Sequence, residues 1–265
     1  MKLSRYPAIL FVILAFASCE RIEFPAGDTN GTLLKQLSAG GEVFYEYTYN
    51  SADLIREEKS KFHYSKYSYN RKNQLIQADH YFDLRMASSN WYVLEDALNR
   101  TEWVSPENTE RSTWSTYEYD LKGRLEKVVN RTNDNYSRYT YENGRIVKRT
   151  SYHENKASFY QKFYYDVSGN LVKTERYNLL ANGDAELSTT TEYEFDNKHN
   201  PYLTFRKLMT PGQNTNTNNI IKETYTLYFE VDDFIQPIQV TEYEYEYNSD
   251  GFPVKRSDGF EYVYY

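Results

Sequence analysis

Aromatic residues alternate with polar residues along most of the chain. Tyrosines alternate with glutamates from Tyr243 to Tyr247, and the run from Tyr45 to Tyr49 has the same period with Glu46 and Thr48 between its rings. Because successive side chains of a strand point to opposite faces, a period of two predicts β-strands with one aromatic face and one polar face. Antiparallel sheets are the sheets that carry this two-sided pattern.

The alternating segments recur as a repeat, which predicts a chain of similar β-hairpins. Its unit is aromatic-x-aromatic, then Asp or Asn, two or three turn residues, and an apolar residue. The copies begin 20 to 52 residues apart and read YTYNSADLI from Tyr47, YSYNRKNQLI from Tyr67, YEYDLKGRLEK from Tyr117, YTYENGRIVK from Tyr139, FYYDVSGNLVK from Phe163, YEFDNKHNPYL from Tyr193 and YEYNSDGFPVK from Tyr245.

Turn residues predict how the two strands of each hairpin face one another. The segment from Asp120 to Gly123 has the residues of a type I turn followed by a left-handed glycine, and Asn143-Gly144 is a strong type I′ signal. Both turn types lead to the same rule of facing residues. The rule predicts the pairs Tyr119 with Leu125, Tyr117 with Lys127, Tyr141 with Ile146, Tyr139 with Lys148, Tyr165 with Leu171, Phe163 with Lys173 and Tyr245 with Lys255, and turn glycines at Gly123, Gly144, Gly169 and Gly251.

Composition indicates a folded chain whose core is built from rings. There are 29 tyrosines among 265 residues, and aromatic residues make up 17% of the chain. A disordered chain is poor in aromatic residues, so this abundance favours a packed fold. The single cysteine excludes a disulfide framework and a cysteine-rich zinc site. The net charge of -7 argues against nucleic acid as a partner.

Strands of about six residues plus turns allow roughly 14–18 strands over this length, and an open sheet seldom exceeds about 10 strands without curling. We therefore expect an all-β protein: a single extended, strongly curled antiparallel meander of β-hairpins, half-open or closed like a barrel. Residues 33–265 form this repeat domain, and little helix is expected after signal cleavage. The polar stretch from Pro211 to Asn219 is predicted to be a mobile loop.

The N-terminus has the pattern of an export signal. Lys2 and Arg5 precede an apolar run from Ala8 to Ala17, and Ser18 and Cys19 follow. The position of the only cysteine resembles a bacterial lipobox, which implies residues 1–18 as a lipoprotein signal peptide, Cys19 as the lipid attachment site and residues 19–32 as a tether. We expect an exported, membrane-anchored lipoprotein at the outer membrane. Cleavage after Ala17 by ordinary signal peptidase, which would release a soluble protein, is the alternative.

The repeat itself resembles known repeats. The Y-x-Y-D-x-x-G-x-L unit resembles the YD repeats of Rhs-type proteins over most of residues 33–265. In size, signal and repeat the chain is similar to small bacterial repeat lipoproteins of unknown function that are described as porin-like in fold. The resemblance implies a curved sheet of consecutive hairpins and no established activity.

Candidate chemistry is sparse along the sequence. The four histidines (His63, His80, His153 and His199) lack the spacing of a metal site, and no nucleophile or phosphate-binding motif occurs. We expect no cofactor, no metal and no enzymatic activity, but a binding or scaffold module of unknown ligand.

Three other functions stay open at this point. One is a glycan-binding accessory protein that uses exposed aromatic residues such as Trp91, Trp103 and Trp114. Another is a carrier of apolar ligand in a half-barrel, and the last is a hydrolase with paired carboxylates. The expected partners are a membrane, through the lipid anchor, and a glycan or an envelope protein.

Overall fold

A computed structural model of the chain describes residues 32–82, 102–208, 211–229 and 237–265. The predicted signal peptide, Cys19, Trp91 and all but the last residue of the predicted tether lie outside the described residues. Within them the chain forms 17 β-strands and one 3₁₀ helix, Pro201–Leu208, which lies between β12 and β13. The strands are β1 (Leu34–Ala39), β2 (Glu42–Tyr49), β3 (Ile55–Ser60), β4 (His63–Tyr69), β5 (Leu75–Phe82), β6 (Thr113–Tyr119), β7 (Leu125–Asn130), β8 (Tyr136–Glu142), β9 (Arg145–His153), β10 (Lys156–Tyr165), β11 (Leu171–Leu179), β12 (Ala185–Phe195), β13 (Ile220–Leu227), β14 (Ile238–Glu242), β15 (Tyr245–Tyr247), β16 (Pro253–Arg256) and β17 (Phe260–Tyr264).

All the strands belong to one antiparallel sheet in which hairpin follows hairpin. From β1 to β14 each strand pairs with its neighbours in sequence, β15 to β17 do the same, and β17 returns to pair with β1. The sheet is not closed, and β14 and β15 are the two ends of its ladder. The prediction of an all-β, curled meander is therefore confirmed, with the sheet left open.

One stretch of chain, residues 238–247, carries both ends of the ladder. Between β14 and β15, Tyr243 N donates to Ile221 O of β13 at 2.8 Å, and Glu244 O accepts from Ser257 N, just after β16, at 2.8 Å. The two ends are thus held next to each other by the backbone itself, which keeps the sheet curled around an interior.

Except in the copy at Tyr139, which has Glu142 at this position, the Asp or Asn of the repeat closes the hairpin turn with its side chain. Asp120 Oδ1 accepts from Lys122 N and Arg124 N, both at 2.9 Å, while Asp120 N donates to Arg124 O at 2.9 Å. Gly123 has a φ of 78°, a left-handed conformation that favours glycine. The side-chain pattern recurs at Asn50, Asn70 and Asn248. The other predicted turn glycines, Gly144, Gly169 and Gly251, also have positive φ.

A β-bulge after each of these turns sets the register of the hairpin. Tyr119 faces Leu125, but Glu118 then faces Lys127 and Tyr117 faces Val128, since Glu126 is an extra residue on β7. The prediction that Tyr117 faces Lys127 is wrong by one residue for this reason. A bulge places two residues of one strand against one residue of its partner.

In the other hairpins, too, the pair next to the turn is as predicted and the lysine pair is shifted by one residue. The inner pairs Tyr141 with Ile146 and Tyr165 with Leu171 lie opposite each other. The predicted lysine pairs are replaced by others: Tyr139 faces Arg149, Phe163 faces Thr174 and Tyr245 faces Arg256, while Lys148, Lys173 and Lys255 face Thr140, Tyr164 and Glu246. The bulge therefore sends the lysines to the same face as the residue between the two aromatic residues.

We call the face that carries Tyr119 and Leu125 the inner face and the opposite face the outer face. On the inner face, tyrosine hydroxyls join neighbouring hairpins. Tyr119 Oη donates to Leu75 O, at the start of the adjacent β5, at 2.8 Å. The same bond, from 2.6 to 2.9 Å long, joins Tyr49 to Leu34, Tyr69 to Ile55, Tyr165 to Ile146, Tyr245 to Ile220 and Tyr264 to Pro253. Phenylalanine could fill the same space but could not make this bond.

The connection between β12 and β13 folds into the interior, and we call its described residues, 196–208 and 211–219, the plug. Asp196 Oδ1 accepts from Lys198 N at 3.0 Å and from Asn219 N at 3.1 Å, so the plug is an insertion within one repeat turn. The ring of Phe205 packs on that of Tyr47 with centroids 4.9 Å apart. Much of the buried core of β1–β5 and β17 lies around this contact.

The segment from Pro211 to Asn219 packs against the sheet, so the prediction of a mobile loop is wrong. Asn216 is 0% exposed, and its Oδ1 accepts from Leu171 N at 2.8 Å. The Nδ2 group of Asn200 donates to Asn216 O at 2.8 Å. Side-chain amides carry both donors and acceptors, so asparagines can satisfy buried backbone groups where no strand partner is present.

Candidate functional site

A cavity with a volume of about 660 Å³ lies among the described residues on the inner face of β6 to β10. We call it the large cleft. Leu208, at the end of the 3₁₀ helix, lines it on the side of the plug. The other lining residues are Ser115, Tyr117, Val128, Asn130, Asn135, Tyr136, Ser137, Tyr139, Arg149, Ser151, Tyr152, His153, Ser158 and Phe159.

Facing pairs of β8 and β9 supply most of the polar groups in the large cleft. Ser137 and Ser151 face each other, with their hydroxyls 3.1 Å apart. At the next step along the strands, His153 Nδ1 lies 3.0 Å from Asn135 Oδ1. The lining therefore offers a row of hydroxyl, amide and imidazole groups beside the strand backbone.

Two tyrosine rings continue this row towards the repeat turns. Tyr117 faces Val128 and Tyr139 faces Arg149, all four on the inner face. Burial raises the pKa of Tyr117 and of Tyr139, so both phenols stay protonated at neutral pH. The cleft thus combines aromatic faces with hydrogen-bonding groups.

Arg149 is the cation of the large cleft. One of its terminal nitrogens, Nη2, donates to Gln161 Oε1, whereas its Nε is buried and has no hydrogen-bond partner. No carboxylate of the described residues forms an ion pair with it. Other arginines of the sheet do have acidic partners: Arg124 pairs with Asp120, Arg138 with Glu126 and Arg256 with Asp258.

Two smaller cavities lie on the other side of the plug. One has a volume of about 460 Å³ and is lined by Glu58, and the other has about 110 Å³ and is lined by Glu223. Arg256 lines both of them. Burial raises the pKa of Glu223. The two inward carboxylates line different cavities, whereas paired-carboxylate hydrolysis needs both at one scissile bond.

These inward groups occupy a fixed position in each repeat, but the register predicted without a bulge assigns that position to the outer face. In every copy, one residue faces the second aromatic residue of the unit, as Leu125 faces Tyr119. The third residue after it, here Val128, points to the inner face and lies opposite the first aromatic residue. These residues are Glu58, Ala78, Val128, Arg149, Thr174, Glu223 and Arg256. The repeat therefore has one variable inward position, and Arg149 occupies it in the large cleft.

The outer face is less uniformly polar than the alternation predicts. Tyr136 and Tyr152 also line the large cleft, but the register places them on the outer face, where their rings stack with centroids 4.6 Å apart. The rings of Tyr160 and Tyr177 stack there with centroids 4.8 Å apart. Lys148 Nζ lies 4.2 Å from the centroid of the Tyr160 ring. Neighbouring strands bring these tyrosines together, which the pattern along a single strand does not reveal.

The two described tryptophans do not form one platform. Arg111 covers Trp114, with the guanidinium carbon 4.6 Å from the ring centroid, and Trp103 is half-buried. Across the described ranges, no group of three or more His, Cys, Asp or Glu is placed to hold a metal ion. In the same ranges no helix is both long and apolar enough to cross a membrane.

Comparisons with known proteins give structural similarities only. No family model and no curated protein matches the sequence. The crystal structure of TcdB2-TccC3 is similar over 84% of this chain and 10% of that chain, with 12% identity and a TM-score of 0.32. A porin-like protein from Bacteroides vulgatus is similar over 88% of this chain and 99% of its own, with 13% identity and a TM-score of 0.41. A porin-like protein from Bacteroides uniformis is similar over 88% of this chain and 96% of its own, with 11% identity and a TM-score of 0.41. The chain thus spans about a tenth of the TcdB2-TccC3 chain.

Proposed function

We propose that the protein is an exported, lipid-anchored, non-enzymatic binding module that takes its ligand in the large cleft. The observation that carries the proposal is the lining of this cleft, where rings, hydroxyls and amides surround an arginine without an acidic partner. Its volume of about 660 Å³ is typical of ligand sites. The anchoring part rests on the sequence of residues 1–18 and on Cys19.

The lining favours a saccharide over an apolar cargo. Near the plug, rings fill the inner face and touch each other: Tyr47 packs on Phe205 at 4.9 Å, and Tyr202 lies edge-on to Tyr262 at 6.4 Å. The cavity of about 460 Å³ beside these rings is lined in part by Glu58 and Arg256, which suit an apolar cargo poorly. In the large cleft the free surface instead alternates rings with hydroxyls, such as Tyr139 with Ser137, which suits the apolar faces and hydroxyl edges of sugar rings.

The anchor is tested by labelling with palmitate and by membrane fractionation. We expect Cys19→Ser to abolish labelling and to move the protein from the membrane to the soluble fraction, because several acyl chains are needed for stable anchoring. Ser18→Ala is the matched control, since it keeps a small residue before the cysteine. Equal membrane association of Cys19→Ser and wild type would refute the anchor.

Binding is tested with the mature full-length chain on an array of neutral and acidic saccharides. Ser151→Trp fills the large cleft and is expected to abolish binding, whereas Thr150→Trp places the same ring on the outer face and should leave it intact. Circular dichroism checks that both variants fold. Binding that survives Ser151→Trp, or no binding of any array member, would contradict a saccharide site in the cleft.

A further inference from the structure

We propose that the large cleft is selective for saccharides that carry a carboxylate, such as uronic or sialic acids, and that Arg149 binds this carboxylate. The inference rests on the proposed function and adds the chemical class of the ligand. Three features carry it: the lack of an acidic partner for the Arg149 guanidinium, the charge of the lining and the groups placed around the arginine.

The guanidinium of Arg149 has no acidic partner among the described residues. Its Nη2 is bonded to Gln161 on one side, and Gln161 faces Arg149 across β9 and β10, so the planar group is held in one orientation. The buried Nε–H has no acceptor among the described residues. The terminal nitrogens of a guanidinium can donate to both oxygens of one carboxylate, which is a bidentate geometry that arginine favours.

The charge of the lining contrasts with that of the whole chain. The chain carries 38 acidic and 31 basic residues. Of the described residues that line the large cleft, Arg149 and His153 are basic and none is Asp or Glu. The nearby Arg138 is on the same strand pair but on the outer face, where Glu126 lies 3.0 Å away. A cleft that keeps its arginine free of acidic neighbours is suited to an external anion.

The groups around Arg149 suit the rest of an acidic sugar. The ring of Tyr139, which faces Arg149, offers an aromatic surface for the C–H side of a pyranose. Ser137 and Ser151 lie one step along the same strands and carry hydroxyls that can donate or accept. A carboxylate on Arg149 would therefore place the ring of the sugar against Tyr139 and its hydroxyls towards the two serines.

The inference is tested by calorimetric titration of the mature full-length protein. The ligands are trigalacturonate, a glucuronate disaccharide and sialyllactose, each compared with its own methyl ester, which keeps the ring and removes the charge. We expect at least one acid to bind about tenfold or more tightly than its ester. Arg149→Gln should weaken that acid about tenfold, Arg149→Lys should restore part of the loss, and Arg138→Gln on the outer face should have no effect.

The possible results separate this inference from the proposed function. Equal binding of acid and ester, or an acid that binds Arg149→Gln as tightly as wild type, would overturn the selectivity for carboxylates. If neutral saccharides bind instead and Ser151→Trp abolishes their binding, the binding module stands and this inference fails. If no acid and no neutral saccharide binds, both fail. Tighter binding of sulfated than of carboxylated saccharides would also overturn it.

Discussion

Tyrosine is frequent in this chain, and its ring and its hydroxyl make two different kinds of contact. The ring packs on the inner face, and the hydroxyl bonds to a backbone carbonyl of the neighbouring hairpin, as Tyr119 does with Leu75 O and Tyr165 with Ile146 O, both at 2.8 Å. Tyr141 occupies the equivalent place in its own copy, yet its buried hydroxyl has no partner. Tyr141 therefore serves as a control for measuring how much this hydrogen bond contributes to the stability of the sheet.

We therefore predict different effects of removing these hydroxyls. Tyr119→Phe and Tyr165→Phe should each lower the free energy of unfolding by about 1 kcal/mol, because a part-buried carbonyl loses its hydrogen bond. Tyr141→Phe should leave the stability unchanged or raise it, since an unpaired buried hydroxyl is removed. Urea denaturation measures all three variants. Equal losses in the three would show that the hydroxyl bonds do not stabilise the sheet.

At the level of the hairpin, the sequence predicts the turn but not the bulge behind it. The Asp or Asn at the start of most turns, and the glycine with positive φ where one is present, are visible in the residues, and Asp120 and Gly123 act as expected. The bulge depends on how the pleat continues beyond the turn, for which the residues of β7 carry no special signal. The inner pair Tyr119 with Leu125 was therefore predictable, whereas the partner of Tyr117 was not.

The same limit applies to the candidate site and to the plug. Arg149 lies in the large cleft only because the bulge after Asn143-Gly144 turns it inward, so a register without a bulge assigns it to the outer face. The copy at Tyr193 looks like the others in sequence. Its second aromatic residue, Phe195, faces Ile220. In the other copies the facing residue follows within a few positions, but here the plug is inserted in the turn. Long-range contacts such as Phe205 with Tyr47 decide that arrangement.

Across the whole molecule, the interior of the curled sheet is lined by protonated phenols. Burial raises the pKa of Tyr119 and of Tyr193 to about 12, above the ordinary value of 10.0. A group whose pKa is raised on folding contributes stability that is complete below its unfolded pKa and is lost as the pH rises through the folded value. The sheet as a whole should therefore be sensitive to alkali.

We predict that stability falls steeply between about pH 10 and pH 12. Ultraviolet absorbance of phenolate and circular dichroism should change together in one alkaline transition, because the buried tyrosines ionise as the sheet opens. Titration of most tyrosines near pH 10 while the circular dichroism remains that of the folded protein would contradict a ring-lined interior.

The central structural claim is that a bulge after each repeat turn points inward the residue that faces the first aromatic residue of the unit, which places Arg149 in the large cleft. Its most direct test is disulfide formation between β8 and β9 in a Cys19→Ser background. With the bulge, Ser137 faces Ser151 on the inner face; without it, Ser137 would face Thr150. We predict that Ser137→Cys with Ser151→Cys oxidises readily to a disulfide, measured by mass spectrometry, and that Ser137→Cys with Thr150→Cys does not. The reverse result would contradict the register and, with it, the position of Arg149 in the cleft.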